Sequence, residues 1–350
     1  MFAKKNLVAA AALMALAGVA QAQSSVKLYG TVDMSVGSFS RAHATGAAAR
    51  TTNVSSGSMM TSFLGFAGSE DLGGGLKAEF ALETFLAGDT GSTLPNNAGY
   101  FWGRASNVAL SGGFGKVALG QYDNPLFTSG YTYNPFGSSM TFSPTMRHFN
   151  YLGTAVQTNI AGAGVGFDTG WVNSVTYESP VMSGFQGIAQ VAAKEATGTA
   201  NKNSSSVAVS YNAGPLSAML TYVKGGVTTA PSVTAYTANE KVWNLGASYD
   251  FGVVKAFGQY TDINDSTNAG KDKIFQLGVS VPVTDKAAVL ASFGQLKNKV
   301  AGVSTKNEVL SLGYDYTLSK RTDVYGVFMN ERQSALTSGQ SFAVGIKHNF

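Results

Sequence analysis

Lys27 and Asp33 lie six residues apart, and Lys77, Glu79 and Glu83 are separated by two and four. In an extended chain side chains alternate between two faces, so each set falls on one face of a strand. Arg104 and Lys116 occupy further alternating segments, and Asp123 and Arg147 lie in a stretch rich in Tyr, Phe and Pro. Fixed cations and anions opposed across a narrow aqueous gap set up a transverse field, which orients dipolar solutes and sorts ions. Other chemistries lack their parts. His43, His148 and His348 are far apart and without two-histidine helical spacing, and the chain has no cysteine, so no metal site is read. The glycine-rich GGGLK (Gly73 to Lys77) lacks the closing Lys-Ser/Thr of a phosphate loop, and no Gly-x-Ser-x-Gly elbow exists. A nucleophile needs a base beside it, and His148 alone is placed to serve. No enzyme and no cofactor is expected.

Strands must position these charges. In SVKLYGTVDMSVG, Val26, Leu28, Gly30, Val32, Met34 and Val36 take one face, and Lys27, Tyr29, Thr31, Asp33 and Ser35 the other. At the far end Phe342, Val344, Ile346, His348 and Phe350 share a face. An exposed last strand would be an open edge that invites aggregation, a hazard that pairing with the first strand removes by closing a barrel. One strand alone does not distinguish a soluble core from a lipid-facing band.

Composition narrows the class. Charged residues make up 13% of 350, about half the share usual for a water-soluble domain. After the first 22 residues no apolar run reaches the ~18 needed for a membrane helix. The formal charge of +4 falls to +2 once Lys4 and Lys5 are set aside, too small to indicate nucleic acid. The start, MFAKKNLVAAAALMALAGVAQA, has a basic head, an apolar stretch and a small-x-small end at Ala20 to Ala22, the pattern of a secretory signal peptide over 1–22.

Sixteen candidate strands follow, from 25–37 and 60–69 to 322–331 and 341–350. Links after odd-numbered strands are mostly long: 38–59, 88–100, 123–170, 195–204, 225–240, 262–272, 298–307 and 332–340. Links after even-numbered strands are short, such as EDLGGG, SGG, AGP, DFG and TLSKR. That alternation belongs to an all-β, transmembrane, antiparallel up-and-down barrel with short periplasmic turns and long outer loops. Tyr211, Trp243, Tyr249, Tyr260, Tyr314 and Tyr316 near strand ends fit interfacial girdles. The link 123–170 is long enough to be functional, and folded inward it narrows a sixteen-strand lumen.

GSEDLGGGLKAEFALE (Gly68 to Glu83) resembles a signature of the general outer-membrane porins of beta-proteobacteria. SVKLYGTVDMSVG, GRASNVALSGGFGKVALG, NSVTYESPVMSGFQG, LGYDYTLSKRTDVYG and the closing VGIKHNF resemble the same family in the same order. The resemblance implies a homotrimeric sixteen-stranded outer-membrane barrel among lipids and lipopolysaccharide, with passive diffusion of small hydrophilic solutes and ions. It also implies a third loop inside the lumen and Arg104 as a wall arginine facing it. Arg104, Lys116 and Arg147 are then expected on the positive side, and Asp123, Glu79 and Glu83 on the negative side. Lys27, Asp33 and Lys77 complete the inward-facing charges. Phe63 and Ala67 stand where the family carries arginine, Gln121 where it reads Leu-Gly-Arg, and Thr176 where a basic residue often follows Asn-Ser-Val. This thinned cluster makes weak selectivity the expectation. An adhesin working through its loops is the remaining rival, weakened by the modest lengths of 195–204 and 332–340. Export predicts a mature chain beginning at Gln23. The intact mass of protein extracted from the outer membrane checks this, and a mass that retains residues 1–22 overturns it.

Overall fold

The computed structural model describes residues 25–46, 50–93, 101–151, 170–193, 203–225, 240–265, 270–300 and 302–350. The signal segment 1–22 and most of 151–166, a candidate for brief pairing with the wall, lie outside these residues. The first half contains β1 (Ser25–Ser40), β2 (Arg50–Ser56), β3 (Phe63–Gly73), β4 (Leu76–Ala87), β5 (Ser92–Thr93), β6 (Ala105–Gly112) and β7 (Gly115–Asp123). Two helices follow, α1 (Pro125–Thr132) and α2 (Pro144–Tyr151). The wall continues with β8 (Gly170–Glu178), β9 (Phe185–Ala192), β10 (Ser204–Ala213), β11 (Leu216–Gly225), β12 (Glu240–Asp250) and β13 (Lys255–Asp265). It finishes with β14 (Gly270–Thr284), β15 (Ala287–Val300), β16 (Val303–Ser319), β17 (Thr322–Gln333) and β18 (Gly339–Asn349).

All except β2 and β5 form a closed antiparallel barrel of sixteen strands. Neighbours in sequence pair in space, and β18 returns to β1 with Thr31 opposite Asn349 and Ser38 opposite Phe342. Backbone bonds from Gly30 N–H to the Phe350 carbonyl and from Phe350 N–H to the Gly30 carbonyl extend this seam. Each strand therefore has partners on both sides, which a chain crossing hydrocarbon requires.

The two faces are inverted relative to a soluble domain. On β14, Gln276 is fully buried while its neighbour Leu277 is 62% exposed. On β16, Ser311 is 0% exposed and Leu312 45%. Polar side chains line the inside, and Val, Leu, Phe and Tyr face out, including Trp243, Tyr249, Tyr260 and Tyr314 from the expected girdles. The period-2 pattern of the sequence dictates this arrangement once the sheet closes. At the β3–β4 turn, Gly73, Gly74 and Gly75 all take positive φ, a run that side chains with a Cβ rarely adopt.

Two expectations change. The link 298–307 is shorter than expected, because the β15–β16 ladder continues up to the pairing of Val300 with Val303. The link 38–59 contains β2, which pairs along the upper half of β1 from Met34–Ser56 to Ser40–Arg50.

Candidate functional site between the inner loop and the facing wall

Beyond β7 the chain turns into the barrel. Asn124 caps α1 by accepting a hydrogen bond from Leu126 N–H at 2.9 Å, with Pro125 at the first helical position. Ser143 plays the same part for α2, its Oγ accepting from Met146 N–H ahead of Pro144. Between the helices the Asn134 amide donates to the Gly130 and Gly137 carbonyls and accepts from Phe136 N–H, fixing a tight bend. The described part of this loop is therefore built from capped, short elements with their own shape.

The loop lies along one side of the inner wall. Asn124 donates to Gln190 on β9, Ser129 to Asn244 on β12, and Thr145 to Gln276 on β14. Ser311 on β16 donates to the Phe142 carbonyl, and Ser139 donates to the Ser58 carbonyl below β2. Leu126, Phe127, Met146 and Phe149 pack against Val223, Val242, Ile263, Ile274 and Leu296. Phe136 and Phe142 pack with Val309, Val327 and Met329. The seat also requires missing side chains. A Cβ on Gly246 would come within 2.3 Å of the Tyr133 ring, and one on Gly294 within 2.5 Å of Pro144 Cβ.

A buried ion pair anchors the loop's far end. Arg147 Nη2 lies 2.7 Å from Glu331 Oε2 on β17, with side-chain exposures of 4% and 0%. Asn307 donates to the other Glu331 oxygen at 3.0 Å and also meets His148 Nε2 at 2.9 Å. His148 is wholly buried. Burial holds its imidazole down to about 4, partly offset by its bond to Asn307 and by the charge of Glu331.

The charged wall faces α1 from β3, β4, β6, β7 and β8. Glu83 accepts hydrogen bonds from both Arg104 and Tyr29. The Arg104 guanidinium lies 4.0 Å from the centre of the Phe63 ring. Gln121 donates to the Gly103 carbonyl at 2.6 Å, bracing the residue before Arg104. Lys116 Nζ lies 2.8 Å from Glu79, which also accepts from Ser111. Tyr122 donates to Glu178 at 2.8 Å. Between this wall and α1 is a cavity of about 480 Å³, lined among others by Glu83, Arg104, Lys116, Asp123, Glu178 and Tyr131.

Arg104, Lys116, Glu83 and Asp123 thus come together at one cavity, with Glu79 behind Lys116. Arg104 precedes β6 rather than lying within a strand. The expectation of opposed rows does not hold. The cations and carboxylates of β4, β6 and β7 alternate along one wall, because adjacent strands bring opposite charges within salt-bridge range. Arg147 is largely buried against Glu331 in the seam between loop and wall, at the edge of a second cavity of about 560 Å³ that it lines with Arg41 and Thr141. Asp33 has 0% exposure and is also not a lumen charge. Its carboxylate accepts from Met59 N–H and Met60 N–H at 2.6 and 2.7 Å and from Tyr325 at 2.6 Å, so it pins the segment returning from β2. Lys27 and Lys77 are exposed near the short-turn end, away from the cavity lining. Thr176 is buried on the inward face of β8 and Ala67 lies half-buried on that of β3. Glu178 and Glu331 went unread in the sequence, although NSVTYE and VYGVFMNE carry both on the inward parity.

Comparison with known proteins agrees with this geometry. The sequence profile of the Gram-negative porins matches residues 9–336. The chain belongs to the Gram-negative porin family. Outer membrane porin protein 32 of Delftia acidovorans is 35% identical over 333 residues, covering 92% of this chain and 88% of that protein. An outer membrane porin protein of Bordetella pertussis is 29% identical over 400 residues, covering 99% and 100%. Among solved structures, the anion-selective porin from Comamonas acidovorans superposes with a TM-score of 0.77 at 30% identity, covering 93% of this chain and all of that one. This porin is therefore a channel protein of the outer membrane and not an enzyme.

The seat of the loop gives two expectations. Glu331→Ala leaves Arg147 buried without its carboxylate, at a cost of about 3 kcal/mol. Limited proteolysis within 123–151 of the refolded porin should accelerate, and an unchanged cleavage rate would count against the anchor. The second concerns acid. A released loop carries an ordinary histidine of pKa about 6.5, against about 4 when seated. The released form therefore binds more protons between these values, so the seat is firm above pH ~6.5 and weakens as pH falls toward 4. Current noise in single channels should rise over that window and flatten in His148→Gln. Identical pH profiles for the two proteins would refute the assignment.

Proposed function

We propose that this porin passes small hydrophilic solutes and ions by passive diffusion, weakly selective, through a constriction between the loop of 123–170 and the wall carrying Arg104 and Lys116. In this reading it works as a homotrimer in outer-membrane lipid and lipopolysaccharide, after removal of residues 1–22. The carrying observation is local charge compensation. Arg104 is joined to Glu83 and Lys116 to Glu79, and Asp123 and Glu178 add carboxylates to the same lining. A cation held beside a carboxylate contributes mainly a short-range dipole, which orients polar solutes but discriminates little by net charge. The Comamonas structure bears the description anion-selective. In this chain Phe63, Ala67 and Gln121 stand at positions that resemble the family's arginines, and the compensating carboxylates remain.

Planar-bilayer recording under a KCl gradient tests the reading. Openings should come in groups of three, with an anion-to-cation permeability ratio within about threefold of unity. Glu83→Gln should move the reversal potential toward anions, and Arg104→Gln toward cations. Strong anion preference in the parent, or no response to either substitution, would reject local compensation. Absence of conductance from folded protein would reject diffusion itself.

A further inference from the structure

The outward face of the barrel changes character abruptly at the loop-bearing end of β14, β15 and β16. On β14 the outward residues read Leu277, Phe275, Lys273, Lys271 toward that end. On β15 Lys297 and Lys299 succeed Phe293 and Gln295, and on β16 Lys306 follows Leu310 and Glu308. All five lysines are exposed. They stand in direct cross-strand register: Lys271 opposite Lys299, Lys273 opposite Lys297, and Lys297 opposite Lys306. Like charges placed directly opposite each other repel, which leaves such a cluster unfavourable unless anions sit on it. The protein supplies little compensation. Asp262 reaches Lys273 at 3.7 Å and Glu308 reaches Lys306 at 3.2 Å. Among the described residues Lys271, Lys297 and Lys299 form no ion pair.

Position selects the class of anion. Lys273 is two residues from the lipid-facing Phe275, about 7 Å along the strand. The lysines therefore begin where the apolar band stops, at headgroup depth. The loop end of the barrel, where β7 hands over to α1, faces outward in this architecture. From this we propose that Lys271, Lys273, Lys297, Lys299 and Lys306 form a lateral binding site for the phosphate groups of an outer-leaflet glycolipid, whose acyl chains lie along Phe275, Leu277 and Phe293. The proposal rests on the membrane setting of the preceding section and makes one of its lipid contacts specific. Ammonium groups around a phosphate give short, charge-assisted hydrogen bonds, and basic clusters beside a membrane face bind anionic headgroups in this way.

The test uses the whole refolded porin in neutral detergent, with bisphosphorylated lipid A as probe and native mass spectrometry as readout. The comparison protein is Lys271→Gln/Lys297→Gln/Lys299→Gln, which alters the lysines without an internal ion pair. Each lysine lost should weaken binding about fivefold, so the triple variant should bind roughly a hundredfold more weakly. Enzymatically dephosphorylated lipid A should bind both proteins poorly. Raising KCl should weaken binding to the parent, which gives a readout independent of any variant's folding. Millimolar inorganic phosphate should not displace the lipid. Equal affinity of parent and variant, equal binding of dephosphorylated lipid, no salt dependence, or displacement by free phosphate would each overturn the site. Single-channel conductance of the variant should equal that of the parent, since these lysines face away from the lumen. A parent that binds lipid A without conducting would leave this site standing and fail the diffusion reading instead.

Discussion

Closure of the sheet is the constraint on which the other features depend. Inside hydrocarbon no water is available to pair with a backbone amide, so an open edge is not tolerated there. The seam between β1 and β18 removes that edge, and it is formed by residues more than three hundred positions apart in sequence. Gly30 belongs to this seam. A Cβ there would lie 2.3 Å from the Phe63 carbonyl oxygen and 2.7 Å from the Phe350 ring, so the strand junction and the terminal aromatic fit together only around glycine. With the seam formed, every side chain on the wall has one of two destinations, lipid or lumen.

The lumen then has to be shaped, and a sixteen-strand barrel leaves an aqueous interior that its own side chains do not fill. Here the polar inner faces of β9 to β17 provide hydrogen-bonding partners for a loop that brings its own caps and apolar residues. The arrangement divides the interior. One side is occupied by α1, α2 and the bend between them, with the apolar clusters beneath. The other keeps the charged wall and the open cavity. Because the loop's polar contacts are spread over many strands, no single hydrogen bond holds it. The Arg147–Glu331 pair differs in kind, since both side chains are almost wholly buried and removing one leaves the other's charge without its partner.

Much of this was legible in the chain. Sixteen strands, their alternation and the inward parity of Glu79, Glu83 and Lys116 follow from a period of two. Parity names a face, however, and says nothing of what covers it. Asp33 shares the inward face of β1 with Ser35, yet the backbone of Met59 and Met60 closes over it. Arg147 reads as a loop cation, and its partner lies 184 residues away on a strand whose other inward residues nearby, Val327 and Met329, are apolar. Such pairings arise from long-range closure of the barrel, which local spacing does not encode. Strand ends were also blurred. Polar residues outside the membrane can continue the ladder, as β15 and β16 do up to Val300 and Val303.

The positions where arginine was expected and not found bear most directly on the channel. Phe63 and Gln121, which stand where the resemblance led to the expectation of arginine, have structural work of their own. Phe63 places its ring beneath Arg104 and meets Tyr29 edge-on, with ring centres 5.9 Å apart. Gln121 uses its amide to brace the carbonyl immediately before Arg104. The Arg104 guanidinium is thereby fixed from below by an aromatic face, from the side by a carboxylate, and through the backbone before it by an amide. Under the diffusion reading proposed above, the clamped guanidinium beside Glu83 acts as a fixed dipole, and a fixed dipole favours solutes that carry both polarities over those carrying one.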